Sequence, residues 1–122
     1  MAKAKRQPES ELVAAVLDRL KKDGHHAWRN SAGARQIGGR WVSFGAVGSG
    51  DVLAVILPHG RLLSVECKVG KNVATDHQLA WITAVNAAGG VAGVVRGLGE
   101  LERLLQEAQQ PAPVVTHTSH TA

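Results

Sequence analysis

An α/β fold is predicted by three features of the sequence. The chain begins with a helical apolar stripe, carries two short β-type runs about a turn in its middle, and then alternates helix, strand and helix. The expected order is helix, three antiparallel strands, helix, strand and C-terminal helix. With 122 residues and 44% hydrophobic composition the chain suits one domain with a modest core. That domain is expected over residues 8–109, between a basic arm at 1–7 and a tail at 110–122.

The arm carries Lys3, Lys5 and Arg6 and reads as a flexible, solvated charge run, with phosphate contact as its other use. The first helix is predicted from Pro8 to Asp23, since Pro8 suits a first turn and Gly24 a C-terminal cap. Leu12, Val13, Val16, Leu17 and Leu20 form its stripe. Glu9 falls on that stripe and Glu11 more to the side; the positive end of the helix dipole is a sufficient role for Glu9. After it come a short extended piece at Ala27–Arg29, a glycine-rich excursion and a strand at Trp41–Phe44, with Trp28 and Trp41 expected in the core. Arg29, Asn30, Arg35 and Arg40 make this region a polar loop suited either to a phosphate backbone or to solvent.

The stretch from Gly50 to Lys68 carries the chemistry. Val52–Leu57 is an apolar, β-branched run, Pro58-His59-Gly60 a turn, and Leu62–Val69 a second strand-type run. If the turn centres on His59, Asp51 returns beside Glu66, with the acids at one sheet edge. Alternation puts Glu66 and Lys68 on one face and the Cys67 side chain on the other. Two carboxylates so placed suit a hard divalent cation such as Mg²⁺, and the lysine can orient a water or neutralise phosphate charge. Glu66 and Lys68 alone would equally read as a surface ion pair.

Beyond the hairpin, the Gly70–Ala74 loop carries Lys71, expected near substrate. Thr75-Asp76-His77-Gln78 fits a capping box opening a helix to Ala88, with Leu79, Ile82 and Val85 inward and Gly89 ending it. Capping is a sufficient role for Gln78. Val91–Val95 reads as a buried strand, and Leu98, Leu101, Leu104 and Leu105 mark a last helix over Gly99–Gln109. From Gln110 the chain is rich in Pro, Thr and His without an apolar period.

Gly50-Asp51, a spacer of hairpin length and Glu66-Cys67-Lys68 together resemble the PD-(D/E)xK nuclease motif. Within that superfamily the chain is similar to the virus-type replication-repair nuclease (VRR-NUC) family, found in phages and as a module of larger repair nucleases. The resemblance runs from about Glu9 to Arg96 and includes Arg29-Asn30, Gly38-Gly39-Arg40, Gly48-Ser49-Gly50-Asp51, Gln78 and Gly89-Gly90. Gly50 stands where many relatives have proline. The resemblance implies a DNA endonuclease using Mg²⁺, or Mn²⁺ in its place, on branched DNA or Holliday junctions, and acting as a homodimer. It implies metal ligation by Asp51, Glu66 and the Cys67 backbone carbonyl, with Lys68 activating water and Gln78 at the site's edge. Glu9 would be an additional acid from the first helix, with Glu11 as its substitute; Glu9-Ser10-Glu11-Leu12 also resembles the start of archaeal Holliday-junction resolvases. Arg29, Asn30, Arg35, Arg40 and Lys71 would contact nucleic acid. A non-catalytic DNA-binding module of the same fold and an RNA nuclease share these motifs.

Composition agrees with a polyanionic partner: fourteen Lys and Arg against ten Asp and Glu give +4, and the pI is near 9.7. The single cysteine excludes an internal disulfide, and the histidines lack zinc spacing. Gly45–Gly50 lacks the Gly-Lys-Ser/Thr ending of a phosphate-binding loop. No apolar run reaches the ~18 residues of a membrane span and no signal-peptide pattern opens the chain, so a cytoplasmic, membrane-free protein is expected.

Overall fold

The computed structural model describes residues 8–114; the predicted arm at 1–7 and the tail from 115 onward lie outside the described residues. The chain runs through α1 (Pro8–Lys22), β1 (His26–Arg29), β2 (Gly33–Ile37), β3 (Arg40–Phe44), β4 (Val52–Ile56), β5 (Arg61–Cys67), α2 (Asp76–Ala87), β6 (Val91–Val95) and α3 (Leu98–Ala108). The expected α/β class holds: a four-stranded mixed sheet of order β1-β4-β5-β6 packs against three helices. Strands β1, β4 and β5 are antiparallel neighbours, and β6 lies parallel to β5 because α2 carries the chain back across the sheet.

Helices α1 and α3 contact β1, β4, β5 and β6 and one another. The alternation of each strand meets them with Val52, Ala54 and Ile56 from β4 and Leu63, Val65 and Cys67 from β5, all fully buried. Val16 and Leu20 of α1 and Leu101 and Leu105 of α3 close over these residues. Each such Leu or Val contributes roughly 1.5–3 kcal/mol by leaving water. Helix α2 packs on β5 and β6. His25 is buried and accepts the Leu57 N–H through Nδ1 at 3.1 Å, joining the start of β1 to the end of β4.

Four expectations are corrected. The third antiparallel strand of the main sheet is β1, expected only as a short extended piece, and not Trp41–Phe44. That segment pairs instead with β2 in a separate two-stranded sheet. Its turn is Gly38-Gly39, with φ of 58° and 78°, the two left-handed residues that a tight two-residue hairpin loop requires. Trp28 and Trp41 are not core residues: they are 38% and 71% exposed, and Trp41 lies on a hairpin whose strands, among the described residues, pair only with each other. Leu79 is 49% exposed, because α2 turns the 78, 81, 82, 85 stripe inward, a spacing of three and four that leaves Leu79 at the side. The acids are not at a sheet edge, since β4 and β5 are the two middle strands.

Candidate active site

The β4–β5 register pairs Val52 with Val65, so the next positions outward are Asp51 and Glu66. Both stand at one end of the sheet's middle, where local turn chemistry and strand pairing suffice to bring them together. The Asp51 Oδ2 accepts the Cys67 backbone N–H at 2.8 Å. Glu66 is only 4% exposed, and its Oε2 accepts the Gln78 Nε2–H at 2.9 Å and lies 3.5 Å from Lys68 Nζ. The Lys68 backbone N–H donates to Val95 O at 3.0 Å, carrying the β5–β6 ladder past Cys67 and keeping the Glu-x-Lys alternation. Burial, reinforced by the charge and hydrogen bond of Asp51 and opposed by Lys68, pushes the Glu66 carboxyl up to about 7.

That shift has a stability consequence. A carboxyl raised from 4.5 to about 7 favours the folded protein fully only below 4.5 and loses that advantage as pH rises through 7. Glu66→Gln, which stays neutral and keeps an acceptor for Gln78, is expected to stabilise the metal-free protein at pH 8 by about 2 kcal/mol and to change little at pH 5. Thermal melts in EDTA at the two pH values measure this; a variant melting no higher than wild type at pH 8 would rule out the burial cost.

Asp51 is positioned by Ser64 and Trp81, which the sequence reading passed over, and by Asn30, which it expected only at nucleic acid. Ser64, 1% exposed in an apolar strand, accepts the Trp81 indole N–H at 2.8 Å and the Gly50 N–H at 3.2 Å through one hydroxyl. A buried serine amid valines and leucines was the available signal, since such a hydroxyl needs partners. On the other side, the Asn30 backbone N–H donates to Asp51 O at 2.8 Å, while its amide donates to Ser49 Oγ at 2.8 Å and Gly50 O at 2.9 Å. Gly50 leaves no room for a side chain: a Cβ there would meet Ser64 Oγ at 2.6 Å and Val65 O at 2.7 Å. A proline would add that carbon and remove the N–H that Ser64 receives.

Gln78 caps its helix and also reaches Glu66. Its Oε1 accepts the Thr75 N–H at 2.9 Å and its backbone N–H donates to Thr75 Oγ1 at 3.2 Å, completing the capping box. The cap thereby aims Nε2 at Glu66. Cys67 points into the core, and burial, with the charges of Asp51, Glu66 and Glu9 adding, pushes its thiol up to about 12, which makes it inert.

Arg29, Asn30, Arg35, Asp51, Glu66 and Gln78 share one cavity of about 420 Å³. The Arg35 guanidinium lies 5.2 Å from the centre of the Phe44 ring, which keeps it against the cavity wall. Arg40 and Lys71 are exposed and stand outside that lining. The Lys71 loop is held by Arg96, which donates to Gly70 O at 3.0 Å and Asn72 O at 2.5 Å. Glu9 is half-buried and Glu11 exposed, as their helix phases predict. Among the described residues no group of three or more His, Cys, Asp and Glu side chains is clustered for a metal, so the two carboxylates remain a pair. A pair of carboxylates is an all-oxygen donor set, which fits Mg²⁺ better than zinc. Among the described residues no helix is long and apolar enough to cross a membrane.

No family model matches the chain, and comparisons with curated proteins and with solved structures likewise return no match.

Proposed function

We propose that this chain is a Mg²⁺-dependent endonuclease that hydrolyses phosphodiester bonds in DNA, of the PD-(D/E)xK type and of the VRR-NUC family that its motif resembles. The observation that carries this reading is the Asp51–Glu66 pair: the β4–β5 register sets the two carboxylates side by side at one end of the sheet, where burial first and the Asp51 charge second push Glu66 up to about 7. Such a pair is unfavourable as two bare charges and favourable around a divalent cation. Asp51 and Glu66, with the Cys67 carbonyl, would hold Mg²⁺ or Mn²⁺. When bound, the ion supplies Lewis-acid polarisation of the phosphate and lowers the pKa of a water.

The chain's own residues do the rest. Lys68, 3.5 Å from Glu66, orients the attacking water and offsets negative charge on the phosphate. Gln78, locked by its cap, holds the Glu66 carboxylate in one orientation. Arg29 and Arg35 supply forked donors suited to phosphate oxygens within the cavity. Cutting two strands of a branched DNA or Holliday junction alike calls for a second copy of the chain, and a homodimer is part of this proposal.

Labelled duplex, flap, four-way-junction and single-stranded DNA, and RNA, incubated with the protein, test it. Cleavage is expected with Mg²⁺ or Mn²⁺ and not in EDTA, while Ca²⁺ supports binding with little cutting. Undiminished cutting in EDTA would exclude the metal-dependent reading.

A further inference from the structure

We propose that the β2–β3 hairpin is a docking arm for an unpaired stretch of nucleic acid, with Trp41 as the residue that stacks on a base. The inference rests on the nuclease reading for the position of the strand, which it takes to leave the cavity beside Asp51 and Glu66.

The hairpin exposes what a folded chain ordinarily covers. Trp41 is 71% exposed, Ile37 55% and Val42 40%. Among the described residues its strands pair only with each other, an arrangement that is marginal by itself and gains from a partner. The charge complements a polyanion: residues 33–44 include Arg35 and Arg40 and no acid. The arm is also continuous with the site, because Arg35 and Phe44 line the same cavity as the carboxylates.

Register decides what kind of nucleic acid fits. Arg35 pairs with Val42 and Ile37 with Arg40, so by alternation both arginines share the face of Phe44 that meets the cavity. Trp41, opposite Gln36, stands on the reverse face beside the turn. A strand following the arginines therefore reaches the indole only by passing round the hairpin, over its tip or a free edge. A flexible single strand can do so, whereas a duplex, stiff over about 150 base pairs, cannot wrap a two-stranded hairpin. Its bases are also stacked inside, so a lone ring finds no free base face; an unpaired base offers one.

Fluorescence anisotropy with a labelled single-stranded oligonucleotide and a blunt duplex of equal length, in EDTA so that neither is cut, tests the arm. Trp41→Ala is expected to weaken single-strand binding by about tenfold, the scale of one lost base–aromatic stack, and to leave duplex binding unchanged. Trp41→Phe should restore most of the loss, and both variants should melt with the wild type because the side chain is exposed. Unchanged single-strand affinity, or an equal loss on both ligands, would overturn the proposal. So would a wild-type dimer that Trp41→Ala splits in sedimentation, since the arm's occupant would then be a second copy of the chain. Binding through Trp41 without cleavage in Mg²⁺ would remove the nuclease reading and leave the arm; cleavage indifferent to Trp41 would do the reverse.

Discussion

Lys68→Ala is expected to lower the single-turnover cleavage rate by roughly 10²-fold or more at saturating DNA, with modest change in affinity. The reason is where the ammonium stands. The Lys68 side chain is only 12% exposed and its Nζ lies 3.5 Å from Glu66 Oε2, so its charge serves the carboxylate pair before it serves solvent. A lysine that merely touched phosphate would show itself otherwise, through weaker binding and a salt dependence lower by about one counterion. A second readout separates the two. Lys68 is what opposes the upward push on Glu66, so without it the Glu66 carboxyl of the metal-free protein should titrate higher still, which an NMR titration in EDTA measures. Normal binding with near wild-type cutting would remove Lys68 from the chemistry.

Arg61→Met is expected to destabilise the fold by about 3 kcal/mol while leaving the carboxylate pair intact. Arg61 opens β5, is 7% exposed, and joins the ends of two helices. Its Nε donates to Gly89 O at 2.9 Å, just past α2, and its Nη1 donates to Glu107 O at 2.8 Å and Gln110 O at 3.2 Å, at the end of α3. Gly89 O and Gln110 O lie just past the two helices and Glu107 O in the last turn of α3, where the negative end of the helix dipole sits. Methionine keeps the apolar stem and removes every donor. Arg61→Lys should recover only part of the loss, because a single ammonium lacks the planar fork that reaches two helices at once. Thermal melts measure this, with a fall of roughly 10 °C expected for Arg61→Met. A variant that melts with the wild type would mean that water satisfies those carbonyls equally well.

What the sequence by itself determined is the part governed by short-range rules. The β4–turn–β5 hairpin follows from two apolar runs about Pro58-His59-Gly60, and its register puts Asp51 opposite Glu66. The Thr75–Gln78 capping box joins residues three apart, and Glu66 and Lys68 share a face through strand alternation alone. Tertiary structure decided the rest, because a hydrogen-bond partner distant in sequence and the covering of a side chain depend on which surfaces meet. Ser64 became the joint between Gly50 and Trp81 only when α2 packed on β5, and the same packing carried the capped Gln78 to Glu66. Arg61 found its carbonyls at the ends of two helices that lie far along the chain. Trp41 shows the limit most plainly: its strand-type neighbours suggested a core residue, yet Gly38-Gly39 turned its strand back on β2 and left the indole 71% exposed. Periodicity states that a residue belongs to a strand; only the packing of the whole chain states whether anything lies against it.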